Sequence, residues 1–115
     1  MKIIIIITAA LFLFISNAYS QEQISSKEAK DNIGKTIQVK GVVSNIYISE
    51  KGNTFINFDE KSPNHTFTVA VFAGKDIDVS KIKEGCTLTV YGTIKEYKNK
   101  PEIVIDTNDQ IISIE

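Results

Sequence analysis

Arginine and tryptophan are absent from this 115-residue chain, and cysteine, histidine and methionine each occur once. Each absence excludes something. With Cys86 alone, neither an intramolecular disulfide nor a thiolate metal cluster can form, so stability must come from burial and strand pairing. Cys86 sits between Gly85 and the apolar alternation Leu88-Val90, where a thiol packs as a small hydrophobe. Without arginine there is no planar fork suited to phosphates and guanine edges. Thirteen basic residues against fourteen acidic ones leave a formal charge of −1. The global basic footprint of a nucleic-acid-binding domain is therefore missing, and such a partner would have to be held by a local patch. His65 stands in a Pro- and Asn-rich loop beside no orienting partner or nucleophile, so it reads as a solvated loop residue. The pairs Asp59-Glu60 and Asp106 with Asp109 lack the ligand spacing and loop glycine of a calcium site and read as solvated turns. No catalytic set can be assembled, and no metal or cofactor is expected.

The one long hydrophobic run lies at the start. Met1-Lys2 is a short positive segment, Ile3 to Ile15 is apolar apart from Thr8, and Ala18-Tyr19-Ser20 supplies the small residues of a cleavage site. A membrane span needs roughly 20 apolar residues, more than this run provides. The pattern predicts a signal peptide over residues 1–20 and export to the periplasm or medium, with no stable membrane insertion after cleavage.

The remainder is enough for one modest core. Residues 21–24 read as a loose tail. Ser25 to Asn32 reads as a short helix, with Ser25-x-x-Glu28 as its capping box and Gly34 as its stop, so that Ile24 and Ile33 pack across one barrel end. Residues 21–32 thus precede a domain over residues 33–115. From Thr36 the period changes to two: Ile37, Val39, Gly41 and Val43 share a face, then a phase change near Ser44-Asn45 makes Ile46 and Ile48 the inward pair. Such a shift marks a bulge that bends a long strand. Thr54–Asp59, Thr66–Ala73, Leu88–Ile94 and Glu102–Asp106 read as the next four strands, followed by a short one at Gln110–Ile114. Asp76 to Gly85, with Val79 and Ile82, reads as a helix plugging the barrel between strands three and four. The order β-β-β-α-β-β predicts an all-β domain with short helices, a five-stranded Greek-key barrel of the OB type.

If Ile56, Phe58, Phe67, Val69 and Val71 form the core, alternation turns Phe55 and Phe72 outward on adjacent strands. Outward aromatics on this face are a stacking platform for bases or sugar rings, with Tyr47 and Tyr91 beside them. A slip of one residue would instead bury both phenylalanines. Lys51 lies in the first hairpin loop, and Lys95, Lys98 and Lys100 surround Tyr97 near the loop between strands four and five. These two loops border the ligand groove of such a barrel.

The segments Gly52-Asn53-Thr54-Phe55-Ile56-Asn57-Phe58, Phe67-Thr68-Val69-Ala70-Val71-Phe72, Val90-Tyr91-Gly92-Thr93-Ile94 and Tyr97-Lys98-Asn99-Lys100-Pro101-Glu102-Ile103 occur in that order. In them the chain resembles small bacterial OB-fold domains found alone after signal peptides or attached to extracellular nucleases. The resemblance implies a nucleic-acid-binding barrel without catalytic residues. Two ligand classes stay open. Single-stranded nucleic acid would stack on Phe55, Phe72, Tyr91 and Tyr97, with Lys51, Lys95, Lys98 and Lys100 on its phosphates. An envelope protein or a glycan would use the same face and suits the acidic balance better.

Overall fold

A thirteen-residue strand, β2 (Thr36–Ile48), organises the fold. The structure is a computed structural model that describes residues 22–115, so the expected signal peptide lies outside the described residues. Ahead of β2 come β1 (Gln23–Ser25) and a 3-10 helix (Ser26–Asp31). After it come β3 (Thr54–Phe58), β4 (Phe67–Val71), β5 (Thr87–Thr93), β6 (Lys95–Tyr97) and β7 (Lys100–Val104), then a 3-10 turn (Asn108–Gln110) and β8 (Ile111–Ile114). The first part of β2 pairs antiparallel with β5, from Thr36↔Thr93 to Val42↔Thr87. Its last part pairs antiparallel with β3, from Val43↔Phe58 to Ile48↔Thr54. Between them the register shifts at Val43/Asn45. This is the bulge that the phase change announces, and it lets one strand serve both halves of the sheet.

The neighbours run β6-β7-β4-β3-β2-β5-β8 in one eight-stranded sheet, with β1 added parallel to β2. This corrects the expectation of five strands in a closed barrel. Among the described residues no ladder joins β5 to β7. A side chain bridges that seam instead: Gln110 donates from Nε2 to Tyr91 O on β5 (3.0 Å) and to Val104 O on β7 (3.2 Å). Its Oε1 accepts from the amides of Asp106 and Thr107 (2.7 and 3.1 Å). Close approach here requires glycine, because a Cβ on Gly92 would lie 2.7 Å from Ile103 Cγ2.

The core follows the alternation. Ile37, Val39 and Val43 of β2, Ile56 and Phe58 of β3, Phe67 and Val69 of β4, Leu88 and Val90 of β5 and Ile103 of β7 are fully or almost fully buried. Each such side chain contributes roughly 1.5–3 kcal/mol when removed from water. Phe58 and Phe67 meet edge to face with ring centroids 5.0 Å apart.

Several expectations need correction. Gln23–Ser25 is a paired strand rather than a loose tail. Ile48 and Ile33 are 65% and 43% exposed. Ile48 has inward parity but sits at the hairpin mouth, past the end of the core. No helix forms between β4 and β5, where the chain runs through turns such as Ile82 N–H to Val79 O (3.0 Å). The reason is local competition: the Asp78 carboxylate accepts from the Ser80 amide (3.0 Å) and hydroxyl (2.6 Å), and a helix this short cannot repay its nucleation. Ile82 is buried nonetheless, and Ile77 and Val79 pack against the core.

The N-terminal 3-10 helix is held at both ends of its first turn. The Ser25 amide donates to Glu28 Oε1 (3.0 Å), one half of a capping box. Buried Ser26 donates from Oγ to Asp59 Oδ2 (2.7 Å), which also accepts from the Thr66 hydroxyl. Gly41 leaves the room for this contact, since a Cβ there would lie 2.7 Å from Ser26 Cβ and 2.9 Å from Phe58 Cδ2. Gly41→Ala is therefore expected to lower stability by about 1–3 kcal/mol through overpacking. An unchanged urea midpoint would show that the helix is not seated against β2.

Candidate binding cleft

The bulge turns Asn45 and Tyr47 onto the outer face of the sheet, and strand register extends them into two rows. Asn45 lies opposite Asn57, Asn57 opposite Thr68, and Thr68 opposite Glu102. One step further along the strands, Tyr47 lies opposite Phe55, Phe55 opposite Ala70, and Ala70 opposite Val104. A polar row thus runs beside an aromatic and apolar one across β2, β3, β4 and β7. The β6–β7 hairpin forms the far wall. Its two-residue loop, Lys98-Asn99, has φ of 51° and 67°, the left-handed pair of a tight hairpin turn.

Together these elements enclose an open cleft of about 450 Å³, lined by Asn45, Tyr47, Phe55, Asn57, Ser62, His65, Thr68, Tyr97, Lys98, Lys100, Pro101 and Glu102. The Tyr47 and Phe55 rings are 6.3 Å apart and within 20° of parallel. Tyr47 is exposed and Phe55 half-buried. Lys98 Nζ lies 5.4 Å from the centre of the Tyr97 ring, a cation–π distance.

The polar row is fixed by its own hydrogen bonds. Asn45 Oδ1 accepts from Asn57 Nδ2 and from the Ser62 amide (both 3.3 Å), and Thr68 donates from Oγ1 to Asn57 Oδ1 (2.8 Å). Glu102 ends the row, 8% exposed. Burial pushes its carboxyl above the ordinary value, and the charge of Lys95, opposite it on β6, partly offsets this. Lys100 Nζ donates to the His65 carbonyl oxygen (2.7 Å). The His65 ring is not the solvated group that its loop suggests: Nδ1 is buried without a hydrogen-bond partner. Burial first, and the Lys100 charge second, lower its pKa from the ordinary 6.5 and favour the neutral imidazole.

Of the residues singled out from the sequence, Tyr47, Phe55, Tyr97, Lys98 and Lys100 share this cleft. Phe72 does not line it; it lies one residue past the end of β4 and is 40% exposed. Tyr91 and Lys95 line a second, smaller groove of about 310 Å³ at the β5–β7 seam, with Gln110. Lys51, in the β2–β3 turn, lines neither. Sequence reasoning missed Asn45, Thr68, His65 and Glu102. Asn57 and Thr68 were traceable, since they share parity with Phe55 and Phe72. Glu102 gave no signal, because its burial depends on β7 lying parallel to β4.

Residues 37–108 match the tRNA anti-codon family, described as an OB-fold nucleic acid binding domain, and the chain belongs to that family. No match was found among curated proteins. Among solved structures it is similar to a protein classed as an aspartyl-tRNA synthetase from Leishmania major Friedlin, with 15% identity, a TM-score of 0.55 and 80% of this chain covered. The chain spans 21% of the length of that synthetase. It is also similar to the OBody AM1L10, solved bound to hen egg-white lysozyme, with 14% identity, a TM-score of 0.57, and 86% of this chain and 94% of the other covered. At such identities these likenesses show the fold alone.

The raised carboxyl of Glu102 has a consequence for stability. A folded-state pKa above the unfolded value means that the folded protein binds more protons in that window, so stability falls as pH rises through it. Glu102→Gln removes the ionisation and is expected to raise Tm near neutral pH. The gain should shrink as pH falls towards the ordinary value of 4.5. Thermal unfolding followed by circular dichroism across that range checks this; a pH-independent gap would count against a buried, titrating Glu102.

Proposed function

We propose that the protein is an exported, non-catalytic OB-fold module that binds single-stranded nucleic acid in the cleft between β2–β3 and the β6–β7 hairpin. The observation that carries this reading is the near-parallel Tyr47–Phe55 pair, its Tyr47 exposed and its Phe55 half-buried, lining one cleft with Tyr97, Lys98 and Lys100 of the hairpin. Bases stack on aromatic faces whatever their sequence, while lysines at the rim meet the phosphates. Membership of an OB-fold nucleic-acid-binding family supports the ligand class. The hydrophobic segment and cleavage pattern of residues 1–20 support export. With a net charge of −1, the cleft binds through a local patch, so affinity is modest and sensitive to salt.

Tyr47→Ala tests the platform, because Tyr47 is exposed and its loss leaves the core intact. Binding of a fluorescent oligothymidylate should weaken about tenfold with an unchanged circular dichroism spectrum. Each phosphate neutralised on a single strand adds about −0.7 to the slope of log affinity against log salt. Lys98→Asn keeps a residue tolerant of the left-handed turn and should make the slope shallower by about that amount. No oligonucleotide binding even at low salt, or binding indifferent to salt, would remove this reading.

A further inference from the structure

Glu102 is a group out of keeping with a cleft that serves only for stacking. It lines the cleft, and the residue as a whole is only 8% exposed, so what it shows to solvent it shows there. Among the described residues its carboxylate accepts no hydrogen bond and lies in no ion pair. The neighbour best placed to donate is Thr68, directly opposite on β4, but Thr68 has one hydroxyl proton and gives it to Asn57 Oδ1. Lys95, opposite on β6, is exposed and acts on the carboxyl through its charge, but forms no ion pair with it. Among the described residues the one buried side-chain polar atom without a partner is His65 Nδ1, so the Glu102 oxygens meet the solvent of the cleft, and a ligand that brings donors can replace that water at a carboxylate the protein leaves unpaired. Phosphate is excluded as the occupant of this position, since it would set anion against anion. It belongs at the rim, with Lys98 and Lys100.

A carboxylate has two oxygens side by side, and it is best matched by two parallel N–H groups. Among the bases, guanine alone offers this on its Watson–Crick edge, through N1–H and the exocyclic N2–H. Adenine and cytosine place a ring-nitrogen lone pair beside their amino group, and thymine or uracil places carbonyl oxygens on both sides of its imino proton. In each of these three, one carboxylate oxygen faces a lone pair. Unpaired bases expose that edge to a protein.

We infer that Glu102 makes the cleft selective for guanine, its carboxylate accepting N1–H and N2–H of a base held between Tyr47–Phe55 and Tyr97 with its phosphates towards Lys98 and Lys100. This rests on the single-strand reading of the cleft given above. It adds sequence preference to a surface that stacking alone leaves indifferent.

The test uses fluorescein-labelled hexathymidylate carrying one central guanine, adenine, cytosine or inosine, titrated with the purified protein at low salt and read by anisotropy. The guanine oligomer is expected to bind about tenfold tighter than the adenine, cytosine and all-thymine ones. Inosine, which keeps N1–H and lacks the N2 amino group, falls between them. Glu102→Gln should level the series, the guanine oligomer losing its lead over the all-thymine one. Equal affinities for all five oligomers would overturn guanine selectivity and leave the stacking reading standing. Absence of binding by any of them overturns both. A guanine preference that survives Glu102→Gln, or an inosine oligomer bound as tightly as the guanine one, refutes the role of the carboxylate; the inosine comparison needs no variant.

Discussion

The structure depends on β2 being a continuous strand with two pairing partners. A strand of ordinary length would pair β5 or β3, and the sheet would come apart into a meander and a separate hairpin. The shift between Val43 and Asn45 keeps the chain paired while reversing which parity faces inward. Core and cleft are therefore set by the same irregularity. Before it, Ile37, Val39 and Val43 point into the core; after it, Asn45 and Tyr47 are delivered to the outer face, where the cleft begins.

The cleft combines a rigid floor with a short, protruding wall. The floor spans four strands and its amides and hydroxyl are bonded to one another, so their orientation is settled before any ligand arrives. The wall is a three-residue strand, β6, turned back by Lys98-Asn99 onto β7. Its side chains from Lys95 to Asn99 are all exposed. Hydrogen-bonding groups that do not move give discrimination, whereas an exposed hairpin with lysines gives encounter and capture. The two properties are separated onto different elements.

The sequence made the interior legible because half-buried strands alternate with period two. Ile56, Phe58, Phe67, Val69, Leu88 and Val90 all lie on the face that parity assigns. Parity reports a face but not a depth, which is why Ile48 points correctly and is exposed. Nor does it say where a strand ends: Phe72 falls just beyond β4 and misses the cleft. Strands of three residues, such as β1 and β6, carry no period at all. The turns between β4 and β5 mimic a helix in composition, and the bonds that decide against it, Asp78 to Ser80 and Asn108 to the backbone of Asp76 and Asp78, leave no trace in the pattern. Glu102 was hidden for a further reason, because its surroundings come from strands distant in sequence.

The seam closed by Gln110 differs in kind from the paired strands of the sheet. A ladder fixes two strands in one register, and changing it breaks several backbone bonds at once. Here a single amide spans β5 and β7, itself held by the backbone amides of Asp106 and Thr107 on its oxygen. The strand that carries Glu102 and the hairpin is thus tethered on one side by backbone pairing to β4 and on the other by the Gln110 amide. The second groove thus has as its floor one side chain where the rest of the sheet has a row of backbone bonds.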